Sequence, residues 1–375
     1  MKKRLRLVAG AVSILIMLVG YMFYVQSIQG GQDTVVSIYQ NDENGTPINS
    51  PSPIQLVRKA GHRNPFRPEI SGYILRSNNP LRELLPRNNQ TVRLQYRSSL
   101  TTTELRDRLH DTNYWQVGTQ NVTTPVFNAT QEQTGGRQVG RISTSRDGTY
   151  WTKLPISYPN VTLKKPTFIY QNNRLTLFDR NRIYDTTDFH KWHTRRLNFK
   201  SNQFTGGQLQ TVINTPDARA FVVIRAIDRK TQKRQLYYGK WYEIQHKIGS
   251  LRRLKTGAIQ LKSSLTINRV GPHFYLLQRQ GNYVQVLKSN QLDTSFKKVA
   301  KIKLTVNKHH TINSINLIAT KRDRMRLFFN VVDRKQVQLG TYYQEFSSDL
   351  KPLNQPRKLA SDFLWTSFEL AENKR

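Results

Sequence analysis

The chain has 375 residues, enough for one large domain or two of ordinary size, and it contains no cysteine. This absence excludes disulfides, thiolate metal sites and cysteine nucleophiles. The chain contains 59 lysines and arginines and 24 acidic residues, and the resulting net charge of +35 indicates an anionic binding partner in the cell. A hydrophobic content of 37% indicates that the chain folds.

The first 25 residues predict a membrane segment. Four basic residues, the last of them Arg6, precede an uncharged run from Leu7 to Val25. About 20 apolar residues are needed to cross a bilayer, and the h-region of a signal peptide is usually shorter. We therefore expect a single-pass anchor at residues 1–25, with the N-terminus cytoplasmic and the rest of the chain outside. Cleavage near Val25-Gln26-Ser27 is the alternative.

Residues 26–60 are rich in Gly, Pro and Asn and show little periodic apolar pattern, which predicts a linker or stalk. Residues 61–375 instead contain short β-branched and aromatic runs between polar clusters, and this pattern predicts an all-β domain. The clearest runs are Gly72–Leu75, Val92–Tyr96, Thr167–Tyr170, Arg174–Phe178, Ala220–Ile224, His273–Leu277, Tyr283–Leu287, Arg326–Asn330 and Val337–Tyr342.

A repeat runs through this region. Ile142–Trp151 (ISTSRDGTYW) and Ile183–Trp192 (IYDTTDFHKW) superpose without gaps at a shift of 41 residues. Such periods are typical of propellers and solenoids. Weaker echoes follow, and a series that starts at Val92–Leu105 predicts a β-propeller of five to seven four-stranded blades. The echoes are Leu236–Ile244, Val286–Lys298 and Tyr342–Leu353.

Ser145–Trp151 (SRDGTYW) resembles the Asp-box of BNR-repeat, sialidase-like β-propellers, and Thr186–Trp192 (TTDFHKW) is similar but lacks the glycine. The resemblance implies a propeller in which the box is a fold element. A carboxylate can accept backbone N–H groups in a tight turn while an aromatic ring packs beneath it. We therefore expect structural rather than catalytic roles for Asp147, Trp151, Asp188 and Trp192.

The same resemblance would imply, in a sialidase, an arginine triad, a Tyr–Glu pair and an Asp acid/base. Phe66-Arg67-Pro68 only partly matches the family's arginine motif, and Tyr242-Glu243 is interpreted as the end of a strand with Glu243 pointing outward. The histidine spacing predicts no metal site, and no motif predicts a cofactor. Carboxylates that a propeller glycosidase could use are Glu69, Asp179 and Asp228.

Basic residues alternate with aromatic and amide residues in three stretches, Gln235–Trp241, Arg322–Phe329 and His190–Arg196. Such surfaces can hold an anionic polysaccharide through charge and ring stacking. The same stretches are also typical of blade edges, where charge prevents edge pairing. The predicted ligand-binding residues are Arg67, Lys240, Arg195, Arg196, Arg324 and Arg326.

These patterns favour a non-enzymatic, membrane-anchored, extracellular basic β-propeller that binds an anionic cell-envelope polymer or glycan. A cysteine-free exported chain fits the exterior of a Gram-positive bacterium, where nucleic acid is not an expected partner. The alternatives are a sialidase-like or other propeller-fold glycoside hydrolase, a scaffold for a membrane-protein partner, and charge that serves solubility alone. Two or three carboxylates in the central funnel would favour the enzyme; cations and aromatics there would favour the binder.

Overall fold

A computed structural model describes residues 17, 19, 21, 22, 33–48, 53–59, 68–76, 89–122, 137–199, 201–215, 219–256, 265–306, 310–320, 324–333, 338–359 and 365–370. The chain forms two compact units, residues 1–42 with 47–97, and residues 43–46 with 98–375. In these ranges no helix is both long and apolar enough to span a bilayer. Most of the predicted anchor, Leu7–Val25, lies outside them.

The described residues of the first unit form one four-stranded sheet. Its strands are β1 (Asp33–Asp42), β2 (Ile54–Lys59), β3 (Tyr73–Leu75) and β4 (Gln90–Ser98), in the order β2-β1-β4-β3. Strand β4 alternates between exposed and buried side chains, as a half-buried strand should. Val36, Ile38, Val92, Leu94 and Tyr96 form its core.

This sheet differs from the expected organisation in two ways. Strands β1 and β2 lie inside the segment 26–60 that the sequence predicted as a linker. The run at Val92 belongs to β4 of this sheet rather than to a first blade. Because β1 and β4 pair in parallel, they are joined by a long connection, and no hairpin signal marks them in the sequence.

The second unit begins with a helix and continues as sheets. Helix α1 spans Thr102–Asp111 and starts with a capping box in which Thr101 and Glu104 satisfy each other's backbone N–H groups. Its apolar side, Leu105 and Leu109, is fully buried. The predicted repeat start at Val92–Leu105 therefore ends inside this helix.

Five antiparallel sheets follow in the described part of the chain. The first closes the ring, since the C-terminal β25 (Trp365–Leu370) pairs with β5 (Tyr114–Val122), which precedes β6 (Arg137–Ser145) and β7 (Thr152–Lys153). The second sheet contains β8 (Thr167–Gln171), β9 (Arg174–Asp179), β10 (Arg182–Thr186) and β11 (His193–Arg196).

The other three sheets repeat this meander. The third contains β12 (Phe204–Thr215), β13 (Arg219–Asp228), β14 (Arg234–Tyr242) and two short outer pieces, β15 (Lys247–Ile248) and β16 (Arg252–Arg253). The fourth contains β17 (Leu265–Val270), β18 (His273–Gln280), β19 (Tyr283–Ser289) and β20 (Lys297–Lys303). The fifth contains β21 (Thr311–Thr320), β22 (Arg324–Val332), β23 (Gln338–Phe346) and β24 (Arg357–Leu359).

The sheets pack in a closed circle. Separate apolar clusters join sheet one to two, two to three, three to four and four to five. A fifth cluster, which includes Tyr114, Phe328 and Tyr343, joins sheet five back to sheet one. The innermost strands β8, β12, β17, β21 and β25 contact one another in that order. This arrangement is a five-bladed β-propeller, at the lower end of the predicted five to seven blades.

The repeat in the sequence corresponds to one position in each blade. The five repeat segments coincide with the third strands β6, β10, β14, β19 and β23 and the turns that follow them. We call the end of a sheet at which its innermost strand begins the top, and the opposite end the bottom. All five of these turns lie at the bottom.

Two of the bottom turns have the same hydrogen-bond pattern. Asp147 Oδ1 accepts the N–H groups of Thr149 and Tyr150 at 2.7 and 2.9 Å, and Asp188 Oδ1 accepts those of His190 and Lys191 at 2.9 and 2.8 Å. Burial alone would raise the pKa of each carboxyl, but these N–H groups hold it below the usual value. Both aspartates therefore stabilise the bottom turns in which they lie.

The tryptophans that follow these turns bridge neighbouring blades. Trp151 lies edge-on to Phe328 of the fifth sheet at 6.3 Å between ring centroids. Trp192 donates its indole N–H to the carbonyl of Ser157, in the segment after the first sheet. Each ring thus packs against the preceding blade, and the turn and its tryptophan together fix the contact between blades.

Basic residues are concentrated on the outermost strands of the blades and are rare on the innermost strands. The outermost strands β7, β11, β15, β16, β20 and β24 contain twelve lysines and arginines and no acidic residue. The innermost strands β8, β12, β17 and β21 contain a single basic residue, Arg269. The large net charge of the propeller therefore includes a basic rim.

Candidate functional site

The axis of the propeller is lined by polar, uncharged side chains. The innermost strands β8, β12, β17 and β21 contain no aspartate or glutamate, and β25 contains one glutamate, Glu369. Amides fill their place and join neighbouring strands: Asn214 donates to the Phe168 carbonyl at 3.2 Å, Gln210 donates to the Leu265 carbonyl at 2.8 Å, and Asn268 accepts the Leu317 N–H at 2.9 Å. These bonds hold the wall of the axis in place.

Three cations from three different blades meet at the top of this axis. Lys165 lies two residues before β8 of the second sheet, Arg225 lies on β13 of the third, and Arg279 lies on β18 of the fourth. Lys165 is exposed at its surface, but the groups around it partly desolvate its ammonium group and lower its pKa, and the positive charges of Arg225 and Arg279 lower it further. The second and fourth sheets are not neighbours, so cations from both can interact only near the axis.

The two guanidinium groups of this axial cluster are held in fixed positions. Arg225 donates to Gln210 Oε1 through Nε, at 3.1 Å, and through Nη2. Arg279 donates to the carbonyl of Ile312 at the start of β21. Burial lowers the pKa of both groups, which indicates that water solvates their charge poorly. Preorganised cations of this kind can receive an anion without further ordering.

One carboxylate lies beside the cluster. Asp179 Oδ1 accepts the backbone N–H groups of Lys164 and Lys165 at 3.1 and 2.7 Å. Burial raises the pKa of Asp179, although these N–H groups oppose the shift. Among the described side chains, Asp179 attracts the ammonium group of Lys165, while Arg225 and Arg279 both repel it. These four groups together carry more positive than negative charge, which attracts anions.

A second polar cluster lies at the bottom, between the second and third sheets. Arg174 Nη1 lies 2.6 Å from Asp185 Oδ2, and its Nε lies 3.7 Å from Glu243 Oε1. Glu243 also accepts hydrogen bonds from Thr176, at 2.9 Å, and from the Trp241 indole. The prediction that Glu243 points outward is therefore wrong: the side chain is 7% exposed, because the neighbouring blade covers the end of its strand.

The residues of this inter-blade cluster join the second and third blades rather than form a binding site. Burial raises the pKa of Glu243, while its hydrogen bonds and Arg174 oppose the shift. His246 Nε2 lies 3.4 Å from Arg174 Nη1, and burial together with nearby cations lowers the pKa of His246. Every charge here has an opposite charge from the same or the adjacent blade, which leaves little attraction for an external ligand.

A groove at the bottom of the first sheet has the opposite charge. It lies beside helix α1 and is lined by Glu104, Asp107, Asp111 and Asp147 together with two arginines. Glu104 and Asp147 already accept hydrogen bonds in the capping box and in the turn. An anion would be repelled here, so this groove does not compete with the axial cluster as its binding site.

The residues predicted to bind ligand do not converge. Arg195 and Arg196 are exposed on the outermost strand β11, Lys240 is exposed on β14, and Arg324 is exposed at the start of β22. Arg67 lies outside the described residues. In the described ranges, no group of three histidine, aspartate or glutamate side chains is placed to hold a metal ion.

Arg326 differs from the expectation for a ligand-binding residue. It is 7% exposed, and its Nη2 lies 2.7 Å from Glu345 Oε1. Its Nη1 donates to the Asp147 carbonyl at 3.2 Å, and the guanidinium stacks over the Tyr343 ring at 4.8 Å. Arg326 therefore joins the fifth blade to the first, and we assign it to the fold.

The sequence did not predict Lys165, Arg225 and Arg279 as a cluster, because no motif or regular spacing connects these three residues. Arg225 interrupts the apolar run Phe221–Ala226, and Arg279 follows the apolar run Phe274–Leu277. A cation on an otherwise apolar second strand was an available signal, since charged residues are seldom buried without a reason. Without the blade order, however, this signal does not identify which cations share the axis.

No family model and no curated protein sequence matches this chain. Its structure is similar to a xylan β-1,4-xylosidase from Bacillus halodurans C-125, with 15% identity over 64% of this chain and 55% of that one and a TM-score of 0.41. A protein of unknown function from Dyadobacter fermentans DSM 18053 has 11% identity, coverage of 68% and 84%, and a TM-score of 0.42. The Bacillus subtilis arabinanase has 13% identity, coverage of 65% and 93%, and a TM-score of 0.36. This chain thus spans about half the length of the xylosidase.

Proposed function

We propose that this protein is a non-enzymatic binding module that holds an anionic polymer of the cell envelope at the top of its propeller. The axial cluster of Lys165, Arg225 and Arg279 carries the proposal, because these cations come from three blades and Arg225 and Arg279 lie close enough to Lys165 to lower its pKa. An anionic group between them would relieve their mutual repulsion. A neutral sugar would leave it in place.

The proposed location is the outer face of a cell membrane. The uncharged run Leu7–Val25 behind four basic residues supports an N-terminal anchor with the propeller exported. Phosphate-containing and acidic polysaccharides are the polyanions such a propeller would meet. Its basic rim would add long-range attraction, which brings a polyanion to the surface before the axial cluster fixes one of its charges.

The test is binding of the full-length protein, in a non-ionic detergent, to a purified anionic wall polymer. We expect Lys165→Gln to weaken binding about tenfold, the loss of one charge-assisted contact. The slope of log affinity against log salt should fall by about 0.7, the value for one contact with a flexible chain. Fluorescence anisotropy of labelled polymer across a salt series measures both quantities.

The matched control is Lys191→Gln, which removes the same charge from an exposed position at the bottom of the second sheet. It should change affinity less than twofold by a small change in the overall field. Equal losses for both variants would show that only net charge matters. Wild-type protein that binds a neutral glycan as well as the anionic polymer would overturn the proposal and point to a protein partner.

A glycoside hydrolase is the second candidate, favoured by Asp179. A carboxyl whose pKa is raised by burial has a property required of a general acid. Hydrolysis needs a second carboxylate roughly 5–10 Å away, and the innermost strands β8, β12, β17 and β21 supply none. We therefore expect no reducing ends from xylan, arabinan or the anionic polymer; release that Asp179→Asn abolishes would establish the enzyme instead.

A further inference from the structure

The outer strand of the fourth blade carries three lysines in a line. In β20, Lys298 pairs with Leu287 of β19, Lys301 with Gln285, and Lys303 with Tyr283. These three partners are alternate residues of β19 and so share one face of the sheet. The lysines opposite them share that face too, and all three are exposed.

A β-bulge creates this alignment. Lys298 and Lys301 are three residues apart, a separation that places side chains on opposite faces of a regular strand. The pairing shifts between Val286 and Leu287, which leaves Val299 as the extra residue in β20. Bulges of this kind re-aim side chains. Here the bulge turns Lys298 toward the face of Lys301 and Lys303.

The spacing of the lysine row is regular. Measured along β19, each lysine is two residues from the next, or about 7 Å. Tyr283 lies at one end of the row and contacts Lys301, whose Nζ is 4.5 Å from its ring centroid. Next to it, Gln280 donates to Gln285 Oε1 at 2.6 Å. The row thus has an ordered floor of an aromatic ring and two amides.

Protection of the blade edge does not account for this arrangement. Lysines anywhere along an outer strand, on either face, would discourage edge pairing. Equal steps on one face, obtained only by means of a bulge, instead match a ligand with regularly spaced charge. Lysine is a point-charge donor without the fork geometry of arginine, and it suits a flexible chain of singly charged groups.

We propose that the lysine row Lys298, Lys301 and Lys303 binds a linear polymer of phosphodiester-linked three-carbon polyol units. In such a polymer six single bonds separate neighbouring phosphorus atoms; three backbone bonds of an extended peptide span about 3.3–3.6 Å, so six span about 7 Å. Successive phosphates therefore meet successive lysines. This inference rests on the proposed function and names the polymer, with a contact surface separate from the axial cluster.

The experiment compares two triple variants of the full-length protein in non-ionic detergent, with labelled poly(glycerol phosphate) as the probe. Lys298→Gln/Lys301→Gln/Lys303→Gln should lower the salt slope by about 2 and weaken binding roughly a hundredfold at about 0.1 M salt, the loss of three contacts. Lys153→Gln/Lys297→Gln/Lys358→Gln removes the same charge from three separate outer strands. Its slope should fall by less than about 0.7.

A second test changes the position of one lysine without changing the net charge of the protein. Lys298→Gln/Val299→Lys keeps the net charge but moves one lysine to the bulge position, out of the row. We expect it to weaken poly(glycerol phosphate) binding about fivefold, the loss of one aligned contact. Thermal unfolding of each variant, unchanged from wild type, shows that the blade is intact. Wild-type affinity in this variant would overturn the inference.

The remaining outcomes separate the two proposals. If wild-type protein binds no anionic polymer, the proposed function fails and the inference fails with it. If Lys165→Gln weakens binding but the two triple variants behave alike, the inference alone fails. If the lysine-row variant loses binding to polygalacturonate or to anionic lipid vesicles as strongly as to poly(glycerol phosphate), the assignment to a phosphodiester chain is wrong.

Discussion

A chain that ends after residue 364 is expected to lose its cooperative unfolding transition and to aggregate. Strand β25 is the innermost strand of the first sheet, and it pairs with β5 from Trp365↔Thr119 to Leu370↔Tyr114. Without β25 the ring stays open, β5 becomes an unpaired edge, and the buried surface beneath Trp115 and Val117 meets water. Far-UV circular dichroism on heating and size-exclusion chromatography measure the loss.

Adding back the missing strand is the control for this truncation. A synthetic peptide of residues 361–375 can pair with the open edge of β5 by strand addition. We expect it to restore a cooperative transition and the monomer peak, while a peptide of the same composition in scrambled order restores neither. A truncated chain that unfolds at the wild-type temperature without any peptide would contradict the role of β25 in ring closure.

Arg174→Met is expected to destabilise the propeller by about 3 kcal/mol at pH 7, since breaking a buried ion pair leaves uncompensated charge. Asp185 is fully buried and Glu243 nearly so, and both face this guanidinium. Because Arg174 itself is 28% exposed, water moderates the loss, and the lower end of the usual range applies. Chemical denaturation, analysed for the free energy of unfolding, tests the value.

The deficit of Arg174→Met should shrink as the pH falls from 7 toward 4. Burial raises the pKa of Glu243 above its unfolded value. A carboxyl with a raised pKa carries its full penalty above the folded pKa, where the folded state holds a buried anion, and none below the unfolded pKa. Removal of Arg174 increases that penalty at neutral pH only.

Arg195→Met is the matched control for this site. Its Nε lies 3.8 Å from Asp185 Oδ1, but its side chain is 49% exposed, so solvent screens the interaction. We expect a loss below about 1 kcal/mol. Equal losses for the two variants at pH 7, or a deficit of Arg174→Met that does not change with pH, would show that the inter-blade cluster is not an electrostatic clamp.

The sequence contains enough information to predict the blades but not the first unit. The aligned segments at Ile142 and Ile183, with their three echoes, predicted a propeller, because each blade needs the same third strand and turn. The sequence did not predict strand β1 for two reasons. Its apolar run Val35–Tyr39 is short. Its partner β4 follows after an interval of about 50 residues, with no hairpin signal between them. Local patterns cannot predict parallel pairing over such a distance.

The candidate sites depend on blade order, which explains why the sequence did not predict them. Lys165, Arg225 and Arg279 are far apart in the chain and meet only because three blades surround one axis. Glu243 was expected to point outward from its strand, yet Thr176 and Arg174 of another blade cover it. The line of lysines on β20 requires a bulge whose position follows from pairing with β19.

Closure of the ring also sets a minimum time for the folding of the first blade during synthesis. Trp365 pairs with Thr119, 246 positions earlier in the chain, so the first blade cannot be completed until nearly all of the propeller has been synthesised. At about 5–20 residues per second, β5 waits about 12–50 s for its innermost partner. During that interval an unpaired strand next to an apolar surface is open to capture by other nascent chains, and the cell must protect it or delay its folding.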